Sequence, residues 1–175
     1  MKKLSVLFGL LSVLYTASLT PCLAQSVSPY EAYVTVPFYT RSDADFTIAQ
    51  TYYVAPQDPN ASSTNDGLLP TSQGNGHGPF RALADLAPVL ALPSPGGTKV
   101  VLRHGLYVVG GTFGLVLPGG TDEFTPFILA GYPGETAILD GTGLHTVVVL
   151  DQTYTILENL TIRNASKYNV RVGGH

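Results

Sequence analysis

Short runs of Val, Ile and Leu recur through the second half of this chain at a nearly constant interval, and this repetition restricts the fold most. One series occupies residues 100–102, 127–129, 147–149 and 170–172. Its runs are separated by roughly 20 to 27 residues, the interval at which solenoid repeats recur. A second series lies between them, at residues 106–108, 137–139 and 154–157, and residues 160–162 begin another face of the last turn. The pattern predicts about three coils of short parallel strands around one apolar core.

The segment before these coils predicts a different organisation. Residues 51–56 indicate one strand, and residues 57–78 are rich in Asp, Asn, Ser, Thr and Gly, which predicts a long surface loop. A second long loop is expected over residues 110–125. An apolar stripe at helical spacing follows the first loop and predicts an α-helix, which Pro88 should end or kink. The stripe consists of Phe80, Leu83, Leu86, Ala87 and Leu90.

The N-terminus has the layout of a cleavable export signal. Lys2 and Lys3 precede an apolar stretch over residues 4–17, and Pro21 and Ala24 supply a helix breaker and a small residue for cleavage. The stretch is shorter than the roughly 20 residues that span a bilayer, so we expect no membrane span. The short Lys-Lys signal is typical of a bacterial protein. We therefore expect a secreted, periplasmic or cell-surface protein.

The predicted cleavage site determines whether the mature protein contains a cysteine. Lipidation at Cys22 is the alternative, but Pro21 is not the small residue normally found before a lipidated cysteine. Cleavage after Ala24 would remove Cys22, which is the chain's one cysteine. The mature protein would then have no disulfide and no thiolate metal site. The predicted organisation is a signal peptide over 1–24, a leader over 25–50 and one domain over 51–175.

The charge distribution excludes one class of partner. The formal net charge is −3, and the seven Lys and Arg residues that follow the predicted signal are scattered along the chain. No basic stripe of the kind that binds nucleic acid is present. An acidic, charge-poor surface suits a neutral sugar, or an acidic sugar held through a metal ion. We expect a monomer with a polysaccharide partner.

Three motifs resemble a known family. They are Ala-Gly-Tyr-Pro-Gly-Glu at residues 130–135, Ile-Leu-Asp-Gly at 138–141, and Leu-Glu-Asn-Leu-Thr-Ile-Arg-Asn-Ala at 157–165. Residues 51–175 resemble the N-terminal portion of secreted right-handed parallel β-helix proteins of the pectate-lyase-like superfamily. The resemblance implies an all-β solenoid with an N-terminal capping α-helix. Because such proteins stack more coils, we expect this chain to be truncated.

The same resemblance implies a function. It points to an exported carbohydrate-active protein, similar to pectate or uronate lyases, with its catalytic residues outside this chain. A glycoside hydrolase is the other enzymatic form, and calcium is the cofactor that the family implies. The alternative is a non-catalytic β-helix protein that binds polysaccharide or acts in surface adhesion. A structural cap without activity is a third interpretation.

No residue of the chain is assigned a catalytic, cofactor or metal role from the sequence. Asp140, Asp151, Glu158 and Lys167 lie on different turns and form no visible cluster. A calcium site or a glycosidase pair needs carboxylates that converge. Asp140 precedes Gly141, which is typical of a turn residue that bonds its own backbone. Asp151 and Glu158 are interpreted as solvated carboxylates.

Two further motifs are weak. The oxygen-rich loop 58–67 is a candidate calcium loop, but Ser63 and Leu69 stand where an EF-hand loop has Gly and Glu, so we expect a hydrated loop. Residues 103–105, Arg-His-Gly, match the opening of the histidine acid phosphatase motif, but its continuation is missing. His104 is therefore placed in a bend between two strands. The other histidines, at positions 77, 145 and 175, lack neighbours at metal-ligand spacing.

Overall fold

The computed structural model describes residues 43–173. The predicted signal peptide over 1–24, most of the predicted leader, and His175 lie outside these residues. Within the described part there are ten strands, one α-helix, α1 (Ala87–Leu90), and two 3₁₀ turns, Asp43–Asp45 and Leu83–Leu86. The strands are β1 (Gln50–Val54), β2 (Thr98–Leu102), β3 (Gly105–Val108), β4 (Leu115–Val116), β5 (Phe127–Gly131), β6 (Ala137–Asp140), β7 (Thr146–Leu150), β8 (Thr155–Glu158), β9 (Leu160–Arg163) and β10 (Tyr168–Val172).

The strands form three sheets, and all pairings between them are parallel. Sheet A has the order β1-β2-β5-β8, sheet B the order β3-β6-β9, and sheet C the order β4-β7-β10. The chain visits sheets A, B and C in that order three times, giving coil 1 (β2–β4), coil 2 (β5–β7) and coil 3 (β8–β10). Strand β1 adds a fourth strand to sheet A. This arrangement is consistent with the predicted parallel β-helix of about three coils.

One apolar core runs through the coils. It is built from alternate residues of each strand, such as Val100 and Leu102 of β2 and Phe127 and Leu129 of β5. Strand β5 is buried along its whole length, as is typical of a parallel strand covered on both faces. Ile128 has no exposed surface although it lies outside the core cluster, so the outer face of sheet A is also covered there.

The two predicted strand series were wrong in part, because each combines strands of two sheets. Residues 147–149 and 170–172 of the first series belong to sheet C, and residues 155–157 of the second belong to sheet A. Each coil contributes three strands, whereas the sequence indicated two alternating series. The missing strand is β4, a two-residue strand inside the stretch 110–125 that was predicted as loop. An apolar run of two residues gives too little signal to be recognised as a strand.

The predicted helix over 80–90 is also corrected. Phe80 is extended and forms a parallel bridge with Val54, and only the short turns Leu83–Leu86 and Ala87–Leu90 are helical. A capping helix of the predicted length is therefore not evident in the described chain. Pro88 lies in the first turn of α1 and does not end it, because the first turn of a helix has no partner for its N–H groups.

The polar segment 57–78 is a long loop, as predicted, and it packs on the coils through hydrogen bonds. The backbone N–H of Tyr53 donates to the carbonyl of Gly67, and Arg103 Nη1 donates to the carbonyl of Pro70. Within residues 43–173, we find no helix long and apolar enough to cross a membrane.

Candidate functional site

A groove on the outer face of sheet A is the main candidate site, and we call it the sheet A groove. Its volume is about 360 Å³. The parallel register places Thr51 beside Lys99 and Tyr53 beside Val101. Side chains two residues apart on a strand point to the same face, so these rows line one surface. The lining residues are Asp43, Thr51, Tyr53, Lys99, Val101, Gly131, Tyr132, Pro133, Glu158 and Asn159.

Lys99 is the charged centre of this groove. Its Nζ lies 2.7 and 2.6 Å from the two carboxylate oxygens of Asp43 and 2.9 Å from Oε1 of Glu158. Strand β5 lies between the strands of Lys99 and Glu158, so the Lys99 side chain crosses the outer face of β5. The crossing helps to explain why Ile128, its neighbour in the register, is completely buried.

The protonation of Lys99 follows from these contacts. Burial, the largest single effect, works to lower the pKa of Lys99, but its hydrogen bonds to Asp43 and Glu158 together raise that pKa above the ordinary value. Lys99 is therefore an ammonium ion at neutral pH. In this arrangement it cannot accept a proton as a general base.

A second cavity of about 460 Å³ continues from the groove round the corner between sheets A and B, and we call it the corner cavity. Tyr132, Pro133 and Asn159 line both cavities. The corner cavity lies between the loop after β5 and the tight turn after β8. Asn159 makes that turn with a positive φ of 52°, a conformation that Asn tolerates better than most residues.

A cluster around Arg103 fixes the position of Tyr132. Arg103 pairs with Glu135 through three hydrogen bonds, from Nε to Oε1 at 3.0 Å and to Oε2 at 2.9 Å, and from Nη2 to Oε1 at 2.6 Å. The guanidinium also lies 4.4 Å from the centroid of the Tyr132 ring. The backbone N–H of His104 donates to Glu135 Oε2 at 2.6 Å. His104 itself is exposed in the bend between β2 and β3, where the sequence placed it.

The four carboxylate and lysine candidates are not brought together. Asp140 is buried at the end of β6 and accepts hydrogen bonds from the Thr142 backbone, Arg163 and Asn164. The Thr142 hydroxyl, with these donors, lowers the pKa of Asp140 below its ordinary value. Its hydrogen bonds from Thr142 are those of a turn residue, whereas Arg163 and Asn164 add contacts from the next coil.

The remaining candidates have separate surroundings. Asp151 pairs with Arg171 at 3.0 Å, and Lys167 lies over the Tyr168 ring at 5.0 Å. Of the four candidates, Glu158 is the one that lines the sheet A groove. Between residues 43 and 173, no group of three or more His, Cys, Asp or Glu side chains is arranged to hold a metal ion.

The oxygen-rich loop contains local pairs. Asp58 accepts from the backbone N–H of Asn60 at 2.8 Å, and Asp66 pairs with Nδ1 of His77 at 2.6 Å. A hydrogen bond from the Leu68 backbone contributes most to the lowered pKa of Asp66. His145 packs edge-on against Tyr168, away from the loop.

Of the residues that line the groove, Glu158 was singled out from the sequence as a candidate, whereas Lys99, Tyr53 and Asp43 were not. Lys99 lies directly before an apolar run, next to Val100. This position indicates only that the Lys99 side chain points away from the core. Tyr53 gives the same weak signal in β1. Asp43 carries no signal, because its contact with Lys99 depends on how distant parts of the chain fold together.

The comparisons with known proteins add one likeness. No family model and no curated protein matches the chain. Among solved structures, the crystal structure of the pectate lyase Pel9A is similar to it, with 18% sequence identity and a TM-score of 0.46. The match covers 67% of this chain and 30% of that one. The chain therefore spans less than a third of the length of the pectate lyase that it resembles.

Proposed function

We propose that this is an exported carbohydrate-active protein with a right-handed parallel β-helix fold, which binds polysaccharide in the sheet A groove. It is related in activity to pectate and uronate lyases, and no catalytic role is assigned to a residue of the described chain. The observation that carries the proposal is the lining of the groove, where two tyrosines stand among hydrogen-bonding side chains.

The chemistry of the lining suits a sugar. A saccharide presents hydroxyl groups that need hydrogen-bonding partners, and apolar ring faces that pack on aromatic side chains. Tyr53 and Tyr132 are half-buried and supply aromatic surface, while Thr51 and Asn159 supply hydroxyl and amide groups. The stack of Arg103 on Tyr132 restrains that ring before a ligand arrives, which lowers the entropy lost on binding.

The charge of the groove restricts which class of saccharide can bind there. Asp43 and Glu158 carry two negative charges around the single positive charge of Lys99. A neutral saccharide can enter this groove directly. An acidic saccharide needs either a bridging cation such as calcium or the loss of one carboxylate from Lys99.

Replacing Tyr53 with Ala tests the groove. We expect Tyr53→Ala to weaken binding of oligosaccharides from pectin, measured by isothermal titration calorimetry, by about fivefold to tenfold, because an aromatic surface is lost. Tyr168→Ala is the matched control, since Tyr168 is an exposed tyrosine on sheet C. Equal affinity of Tyr53→Ala and the unchanged protein would show that the groove does not bind the sugar.

A non-catalytic polysaccharide-binding or adhesion protein is the second candidate. The double ion pair of Lys99 favours it, because the lysine in the groove is held as an acid and not as a base. Incubation with polygalacturonate and calcium, followed by the absorbance of unsaturated sugar ends, separates the two candidates. Binding without such absorbance supports the binding protein, and new absorbance supports a lyase.

A further inference from the structure

We propose that Asp43 is a built-in competitor for the carboxylate of an acidic saccharide, and that a uronate binds in the sheet A groove by replacing Asp43 on Lys99. The inference rests on the proposed polysaccharide binding in that groove. It assigns Lys99 as the residue that recognises the acidic group, and Asp43 as the residue that limits access to it.

The geometry of the contact is that of a bound carboxylate ligand. Both oxygens of Asp43 lie within 2.7 Å of the Lys99 ammonium, at 2.7 and 2.6 Å. This is the distance expected for a charge-assisted hydrogen bond, and a uronate carboxylate presents the same two oxygens. Asp43 also lines the groove, so it occupies space that a ligand would use.

The two partners of the ion pair differ in how firmly they are held. The side chain of Lys99 is 12% exposed, and Glu158 holds it from the other side. The side chain of Asp43 is 59% exposed, on a three-residue 3₁₀ turn in which no residue is buried. Lys99 is thus fixed by its surroundings, whereas Asp43 can leave without uncovering the core.

The backbone next to Asp43 permits this exchange. The hydrogen bonds that attach the segment to the coils include Thr47 N–H to the Phe124 carbonyl at 2.7 Å and Ala49 N–H to the Gly97 carbonyl at 2.8 Å. These anchors follow the turn of Asp43, and the exchange requires only that the exposed Asp43 carboxylate rotates away from Lys99 while they remain. The Asp43 end of this ion pair faces solvent, which screens the pair and lowers the cost of opening it.

Charge balance makes the exchange selective. With Asp43 in place, two carboxylates already neutralise Lys99, and a third would be repelled. When Asp43 leaves, the carboxylate of a uronate restores the same balance. A neutral saccharide has no group for this position and does not compete with Asp43.

The test compares an acidic and a neutral form of one ligand. Trigalacturonate and its fully methyl-esterified form are titrated calorimetrically, without calcium, into the unchanged protein and into Asp43→Asn, Asp45→Asn and Lys99→Met. We expect Asp43→Asn to bind trigalacturonate about threefold to fivefold more tightly, and to bind the methyl ester with unchanged affinity. Asp45→Asn removes the same charge from the same turn and controls for long-range electrostatics. Lys99→Met should weaken the binding of trigalacturonate relative to its methyl ester, because no cation is left to pair with the uronate carboxylate.

The outcomes separate the two proposals. If both ligands bind and Asp43→Asn has no effect, or if Asp45→Asn gives the same gain, the competitor role is wrong and the binding proposal stands. If neither ligand binds to any of the proteins, the proposed binding function fails and the competitor role fails with it. A thermal melt of each variant verifies that it is folded.

Discussion

At the scale of single residues, the corner between sheets A and B depends on Glu135. This carboxylate accepts hydrogen bonds from the Arg103 side chain and from the His104 backbone, and Arg103 also reaches the Pro70 carbonyl. One carboxylate therefore links the loop 57–78 to the first two coils. The hydrogen bond from Arg103 contributes most to lowering the pKa of Glu135 below its ordinary value of 4.5.

The lowered pKa of Glu135 gives a prediction about pH. A carboxylate with a lowered pKa in the folded state stabilises the protein above its ordinary pKa, and this contribution is lost as the pH falls further. We expect Glu135→Gln to lower the free energy of unfolding by about 1–2 kcal/mol at pH 7. The difference should shrink below about pH 4.5. Urea unfolding at pH 7 and pH 3 measures both values, and an equal difference at the two pH values would contradict the role.

The role of a residue could be predicted from the sequence when one of its partners is close to it in the chain. Asp140 was interpreted as a turn residue, and its carboxylate does bond the backbone two residues later, at Thr142. That interaction is built within one turn, so the tripeptide around Asp140 contains it. Glu135 gave no such signal, because Arg103 lies in the preceding coil.

At the scale of elements, successive coils are in close contact at Gly131, the last residue of β5. A Cβ added at Gly131 would lie 2.0 Å from the backbone oxygen of Asn159 in the next coil. No side chain can occupy that position unless the coils separate. The residue is therefore needed for the turn after β8 to stack on the turn after β5.

We predict that Gly131→Ala destabilises the protein by about 1–3 kcal/mol, since overpacking forces the backbone to shift. The loss should appear as a lower midpoint of thermal unfolding. Gly110→Ala is the matched control, because a Cβ at Gly110 meets no atom within 4 Å. If both variants melt at the same temperature as the unchanged protein, the two coils are not in the close contact described above.

The strands and the helix show which predictions from hydrophobic periodicity were correct and which were wrong. Strands β2, β5 and β7 were located because each contains three consecutive apolar residues. Strand β7 was wrongly grouped with β2 and β5, because β4 has only two residues and the third side of the first coil was missed. The helix was overestimated because Phe80 fits a helical stripe, yet its backbone bonds to β1. A tertiary contact overrode the local preference.

At the scale of the whole molecule, stability should differ between the coils. The strands of coil 2 are each paired on both sides: β5 with β2 and β8, β6 with β3 and β9, and β7 with β4 and β10. The strands of coil 3 have one partner each among the described residues. Coils that exchange contacts only with their neighbours open first where a neighbour is lacking.

Hydrogen exchange can measure this gradient. We predict that backbone amides of β5 and β6 exchange at least about tenfold more slowly than those of β9 and β10, because opening the middle coil requires loss of two sets of pairings. Exchange measured by mass spectrometry or NMR gives the rates segment by segment. Uniform protection across all three coils would indicate one cooperative unit instead.

The amino-acid sequence alone was enough to predict that the chain is rich in short strands, that these repeat about three times, and that a polar loop precedes them. These properties follow from local patterns, since alternation, run length and bend residues act within one strand or turn. The folded structure was needed to show which strand joins which sheet, and that Lys99 contacts Asp43 and Glu158 on the outer face of sheet A. Such contacts join residues far apart in the chain, and they exist because parallel coils stack in a fixed register.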